Sequence, residues 1–243
     1  MGGSFAWGFL AASSLIIGGA VALVWGVHER VLGLVMAFGS GVLISAVAFE
    51  LVEEAYNTTG EKGGVAGGLA AGCAVFFLGD WLIDRKGGAD RKDSNGKQAT
   101  GSPLAIVLGI VLDGIPESIV LGLTIVVGGS VSTAYLAAVF ISNVPEAFAA
   151  SSGLELAGWR KSRILGLWVV VALVSGLFSL LGFGVFDTAG PTEIAFVLSF
   201  AAGAILTMLA DTMMPEAFEH GGKLVGVATT LGFGVAFGLH ALG

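Results

Sequence analysis

Apolar residues run along this chain in long blocks separated by short polar breaks. Blocks of about 20 residues, long enough to cross a bilayer core, fall at 4–26, 31–55, 64–83, 103–127, 131–155, 164–186, 191–217 and 223–242. A segment inside lipid must satisfy its own backbone hydrogen bonds, so each block predicts a helix. The one long polar interval is 85–102, "RKGGADRKDSNGKQATGS", whose composition predicts a flexible loop. The pattern therefore predicts an all-α integral membrane fold, an eight-transmembrane-helix bundle forming a single domain over 1–243.

Composition strengthens this reading. Of 243 residues, 55% are hydrophobic and only 12% charged, about half the charged share of a soluble domain. Forty glycines suit helices that approach closely in lipid. The first block lacks a basic leader and a small-residue cleavage site, so it is expected to be a retained span. The single cysteine, Cys73, lies in an apolar run and is expected to pack.

Charge sets the expected orientation. With both termini outside, ten of the eleven basic residues fall in inner loops: Arg30, then Arg85, Lys86, Arg91, Lys92 and Lys97, then Arg160, Lys161 and Arg163, then Lys223. Only Lys62 falls outside. Such asymmetry marks the cytoplasmic side, which makes 85–102 a cytoplasmic loop and the protein a multi-pass component of the cell membrane. A net charge of −7 speaks against a nucleic-acid partner. The lipid bilayer is the expected partner, and a homodimer is one assembly open to a chain of this size.

The acids within the blocks carry the chemistry. "LDGIPES" begins at Leu112 and "SNVPEAF" at Ser142. They place Asp113 and Glu117 roughly 15–21 Å into the fourth span, with Asn143 and Glu146 at matching depth in the fifth. Asp113 and Glu117 are i,i+4 neighbours on one helix face, as are Ser142 and Glu146, while Asn143 and Glu146 are i,i+3. An acid at such depth costs roughly 2.5–3.5 kcal/mol and faces the bundle interior or an aqueous path. Apart from Lys223 at the very start of the eighth, no span contains lysine or arginine, so the expected compensation is protonation or a cation from solution. Pro116 and Pro145 release the Leu112 and Ile141 carbonyls, which could join a coordination shell. Further acids continue across the membrane: Glu50, Glu53 and Glu54 at one end, and Asp211, Glu216, Glu219 and His220 at the other. His240, in the last turn, reads as interfacial.

These residues resemble the ZIP (Zrt/Irt-like) divalent metal transporters over essentially the whole chain. The resemblance rests on the tandem P-E motifs of spans 4 and 5, the acidic end of span 2 ("FELVEEA") and "MMPEAFEHGG" at the end of span 7. It implies an inverted repeat of spans 1–3 and 6–8 around spans 4 and 5, no enzymatic activity, and movement of Zn²⁺, Mn²⁺ or Fe²⁺ into the cytoplasm as substrate. It implies a central site of Asp113, Glu117, Asn143 and Glu146, with Ser142, and pathway roles for Glu50, Asp211, Glu216 and His220. Asp113 stands where members commonly carry histidine, Gly114 where they carry asparagine, and Ser175 where two-metal members carry an acid. One metal is therefore expected, held by oxygen, a donor set that also suits Mn²⁺. Rival readings are a proton or monovalent-cation pathway through Asp113, Glu117 and Glu146, and a non-transporting metal sensor or scaffold. An intramembrane hydrolase is disfavoured, since no span interior offers arginine or lysine to bind a phosphate.

Overall fold

The computed structural model describes residues 2–25, 28–60 and 62–242, and every regular element among them is helical. Gly26, the last residue of the first expected span, lies outside the described residues. Seven helical stretches are long and apolar enough to cross a membrane. They are α1 (Gly2–Val24), α2 (Glu29–Thr59), α3 (Lys62–Ile83, continued by a π-helical turn Asp84–Gly88), α4 (Pro103–Gly128), α5 (Thr133–Leu156), α6 (Lys161–Phe186) and Pro191–Leu242.

The last stretch is not straight. At Gly222 the backbone turns to φ 60°, ψ −144°, a region that side chains disfavour. Before that point Met213 lies by Gly39 and Ala217 and His220 lie by Gly33; beyond it Thr229 packs on Gly41 and His240 reaches Glu50. The chain thus runs antiparallel to α2 and then parallel to it. We label the two limbs α7 (residues 191–221) and α8 (Val225–Leu242).

Glycine sets how closely the helices approach. A methyl at Gly41 would overlap the Thr229 carbonyl, and one at Gly232 the Phe38 carbonyl, so α2 and α8 lock reciprocally. Gly72 and Gly203 lock α3 to α7 in the same way, and Gly122 and Gly182 lock α4 to α6. In lipid, where apolar burial between helices supplies no net drive, such contact is what holds helices together.

Pro116 and Pro145 sit inside continuous helices α4 and α5. Sharper irregularities fall elsewhere, at π-helical turns Val47–Glu53 of α2 and Leu209–Met213 of α7. Pro215 follows the second of these in the first turn of a fresh α-helical segment, where a missing N–H is tolerated.

Segment 84–102 is folded against the bundle. Its Arg91, Lys92, Asp93, Ser94 and Gln98 are all buried. This departs from the flexible loop that composition suggests. The reason is specific: Gly109 of α4 and Gly153 of α5 lack side chains where the segment passes. A Cβ at Gly109 would strike the Arg91 side chain, and one at Gly153 the Asp93 carbonyl and the Gln98 amide.

A candidate cation site closed by a basic segment

Side chains from α1, α4, α5 and α6 enclose a small central cavity. Asp113, Glu117 and Ser118 reach it from α4, Asn143 and Glu146 from α5, and Ser175 from α6, with Ala11 and Leu15 of α1 as an apolar wall. The i,i+4 and i,i+3 spacings bring this about, because they aim each pair along one helix face. At ≈ 20 Å³ the space suits one water-sized particle. Four of the five central residues expected from the sequence therefore meet. Ser142 does not line the cavity, and its hydroxyl donates back to the Val139 carbonyl at 3.0 Å. Neither Leu112 nor Ile141, whose carbonyls the prolines release, lines it either.

The expectation that the acids lack a basic partner within the chain does not hold. Lys92 Nζ lies 3.1 Å from Asp113 Oδ2, 3.1 Å from Glu146 Oε1 and 3.2 Å from Thr212 Oγ1. Arg91 grips Asp113 with two parallel bonds, Nε to Oδ2 at 2.9 Å and Nη2 to Oδ1 at 3.0 Å. The same guanidinium meets Asp80 through Nη2 and Asp84 through Nη1, the latter at 3.4 Å. A planar guanidinium matches carboxylates in this forked way, which a point charge cannot. Burial alone would pull the Lys92 ammonium down, but the carboxylates of Asp113 and Glu146 outweigh it, and its pKa stands above that of an ordinary lysine. The partners were hidden because they come from the polar loop and not from a span.

The basic segment is itself held in place. Glu216 accepts from Ser94 twice, from the backbone N–H at 3.0 Å and the hydroxyl at 3.1 Å. His220 Nε2 lies 3.0 Å from the Ser94 hydroxyl and 3.1 Å from Glu216. Asp93 folds the next turn by accepting from the N–H groups of Asn95 at 2.9 Å and Lys97 at 3.1 Å. Burial would raise the Asp93 carboxyl, yet Lys97 and these backbone donors hold it below the usual range. Glu216 and His220, expected as pathway residues, thus anchor the segment. Asp211 is exposed at a neighbouring cleft lined also by Lys92, Thr212 and Glu216. Asp80 and Asp84 formed no part of the sequence reading, although their i,i+4 spacing within an apolar helix was the available signal.

At the opposite end of the bundle a second cavity, ≈ 340 Å³, is lined by Glu50, Glu54, Thr124, Ser132 and His240, among others. Ser132 donates to Glu50 at 2.6 Å, and His240 Nδ1 meets its other oxygen at 2.7 Å. His240 is therefore a side-chain partner of Glu50, beyond the interfacial place the sequence suggested. Tyr135 stands between the cavities, one turn from Ser132 and one from Val139, fully buried with its hydroxyl unpartnered among the described residues.

Neither a protein-family model nor a curated protein matches this chain. The site must therefore be weighed on its chemistry. Among the described residues no three histidine, cysteine, aspartate or glutamate side chains are grouped so as to hold a metal ion. The Lys92 ammonium lies 3.1 Å from both Asp113 and Glu146. Five carboxylates, Asp80, Asp84, Asp113, Glu117 and Glu146, still surround two cations, so the cluster is acid-rich even with the segment docked. Glu117 carries the excess. It is 4% exposed, and its Oε1 has no hydrogen-bond partner among the described residues.

Proposed function

We propose that the protein moves divalent cations across a membrane through the central carboxylate cavity, in the manner of the ZIP transporters whose motifs it resembles. The observation that carries this reading is the convergence of Asp113, Glu117, Asn143 and Glu146 on one enclosed cavity, with a buried ammonium already standing where a cation would bind. Acids buried within membrane spans are costly and mark ion pathways. The donors are all oxygen, which suits Mn²⁺ as well as Zn²⁺ or Fe²⁺.

Two further features support the finer architecture. Counting the reversal at Gly222 as a turn gives eight crossings. An inverted repeat accords with the packing, in which α2 pairs with α8 as α7 does with α3, and α1 with α5 as α6 does with α4. The π-helical turns of α2 and α7 fall in equivalent members of that repeat. The ends bearing Arg30, Arg85, Arg160, Lys161 and Lys223 gather at the end of the bundle that holds segment 84–102. There Arg85 lies over Trp81 at 4.5 Å and Arg163 over Trp159 at 4.0 Å, as side chains do at a membrane boundary. We read this as the cytoplasmic end. A cysteine replacing exposed Ala99, in a Cys73→Ala background, should resist an impermeant maleimide in intact cells and react in inverted vesicles. Labelling of intact cells would reverse the orientation.

The decisive test is uptake by reconstituted vesicles offered Zn²⁺, Mn²⁺ and Fe²⁺ separately, with accumulation expected for at least one. One observation favours a second reading, a non-transporting bundle: Arg91 and Lys92 already match much of the buried charge. Absence of uptake for every ion would select it.

A further inference from the structure

We propose that Lys92 is a tethered competitor for the cation site, which a divalent ion must displace before it can bind. The inference deepens the transport reading and rests on it. An ammonium group is a compact, strongly hydrated point charge, and here it has given up water for three protein oxygens, those of Asp113, Glu146 and Thr212. That is the coordination a small cation would seek from the same groups. Arg91 plays a different part. Its fork is shared among Asp80, Asp84 and Asp113, so it closes the floor of the cluster, whereas Lys92 joins Asp113 of α4 to Glu146 of α5.

The remaining donors are poised for an arriving ion. Glu117 lines the same cavity, buried and with Oε1 unpartnered among the described residues, and Asn143 lines it too. A divalent ion held by Glu117 and Glu146 would sit close to the ammonium, and two cations at that separation repel strongly where water is scarce. Binding and docking of the segment therefore exclude each other. Leaving the site requires Lys92 to draw back along the cleft lined by Asp93, Asp211, Thr212 and Glu216, and the Ser94 contacts with Glu216 and His220 must break with it.

The test uses the purified full-length protein and measures Mn²⁺ and Zn²⁺ binding by equilibrium dialysis. Lys92→Gln should bind the transported ion about tenfold more tightly than the wild type, within the 5–150-fold usual for coupled equilibria. Lys92→Arg, which keeps the charge, should show no gain, whereas a merely structural role would leave both variants alike. In a Cys73→Ala, Ser94→Cys protein that retains Lys92, saturating Mn²⁺ or Zn²⁺ should speed maleimide labelling of the introduced thiol severalfold, because position 94 is buried when the segment is docked. That measurement decides alone if Lys92→Gln fails to fold. Equal affinity in wild type and Lys92→Gln, or labelling unmoved by bound metal, overturns the competitor while wild-type uptake still stands. Failure of every form to bind either ion, with no vesicle uptake, overturns the transport reading and this inference together.

Discussion

Glu117→Gln should lower cation uptake by reconstituted vesicles by roughly 100-fold or more, since losing even an outer partner of a metal ligand is worth about 10–100-fold in affinity. The change keeps the side chain's size and removes only its charge. Folding should survive, because Glu117 Oε1 has no hydrogen-bond partner among the described residues to strand. Neutralising this buried acid, which has no ion-pair partner among the described residues, should leave the melting temperature in detergent unchanged or raised. Glu146→Gln makes the informative contrast. It too should abolish uptake, but it deprives Lys92 of a carboxylate at 3.1 Å and should lower the melting temperature as well. Near-normal uptake in either variant would remove the central cavity from the pathway.

The second large effect is on stability. Arg91→Met should destabilise the protein by about 3–5 kcal/mol, the usual result of removing one partner from a buried ion pair. Arg91 is 0% exposed, and its loss strips Asp80 of its ion-pair partner and leaves Asp113 with Lys92 alone. Adding Asp80→Asn to Arg91→Met should recover part of the loss, since contacting residues couple. Denaturant unfolding in detergent measures both. An Arg91→Met protein as stable as the wild type would mean that segment 84–102 is not docked as described.

The bundle was readable from the chain because lipid imposes one rule on every block: long, apolar and helical. The central acids were readable for a related reason. A carboxylate cannot sit at mid-span without a purpose, and helical spacing fixes which of its neighbours share its face. Arg91 and Lys92 were not readable in the same way. They lie in "GGADRKDSNG", whose composition matches any solvated loop, and burying either is unfavourable unless acids await it. Those acids belong to α3, α4 and α5, and nothing local in the loop reveals them. The traces that did exist were small, namely Asp80 and Asp84 one turn apart in α3 and a glycine at 109 and 153. Ser142 shows the opposite limit, since a position can have the right spacing and still spend its hydroxyl on its own helix.

The contiguity of the arginine cluster also bears on how the protein is made. Asp80, Asp84, Arg91 and Asp113 lie in one unbroken stretch of chain, residues 80–113. As α3 and α4 leave the insertion machinery, their buried aspartates can be neutralised by the connection between them, with no helix still to be synthesised. Glu146 emerges later and meets Lys92, already present in that connection. Counter-charge is thus supplied in the order of translation, and a nascent chain truncated after α4 should already hold its hairpin in the bilayer.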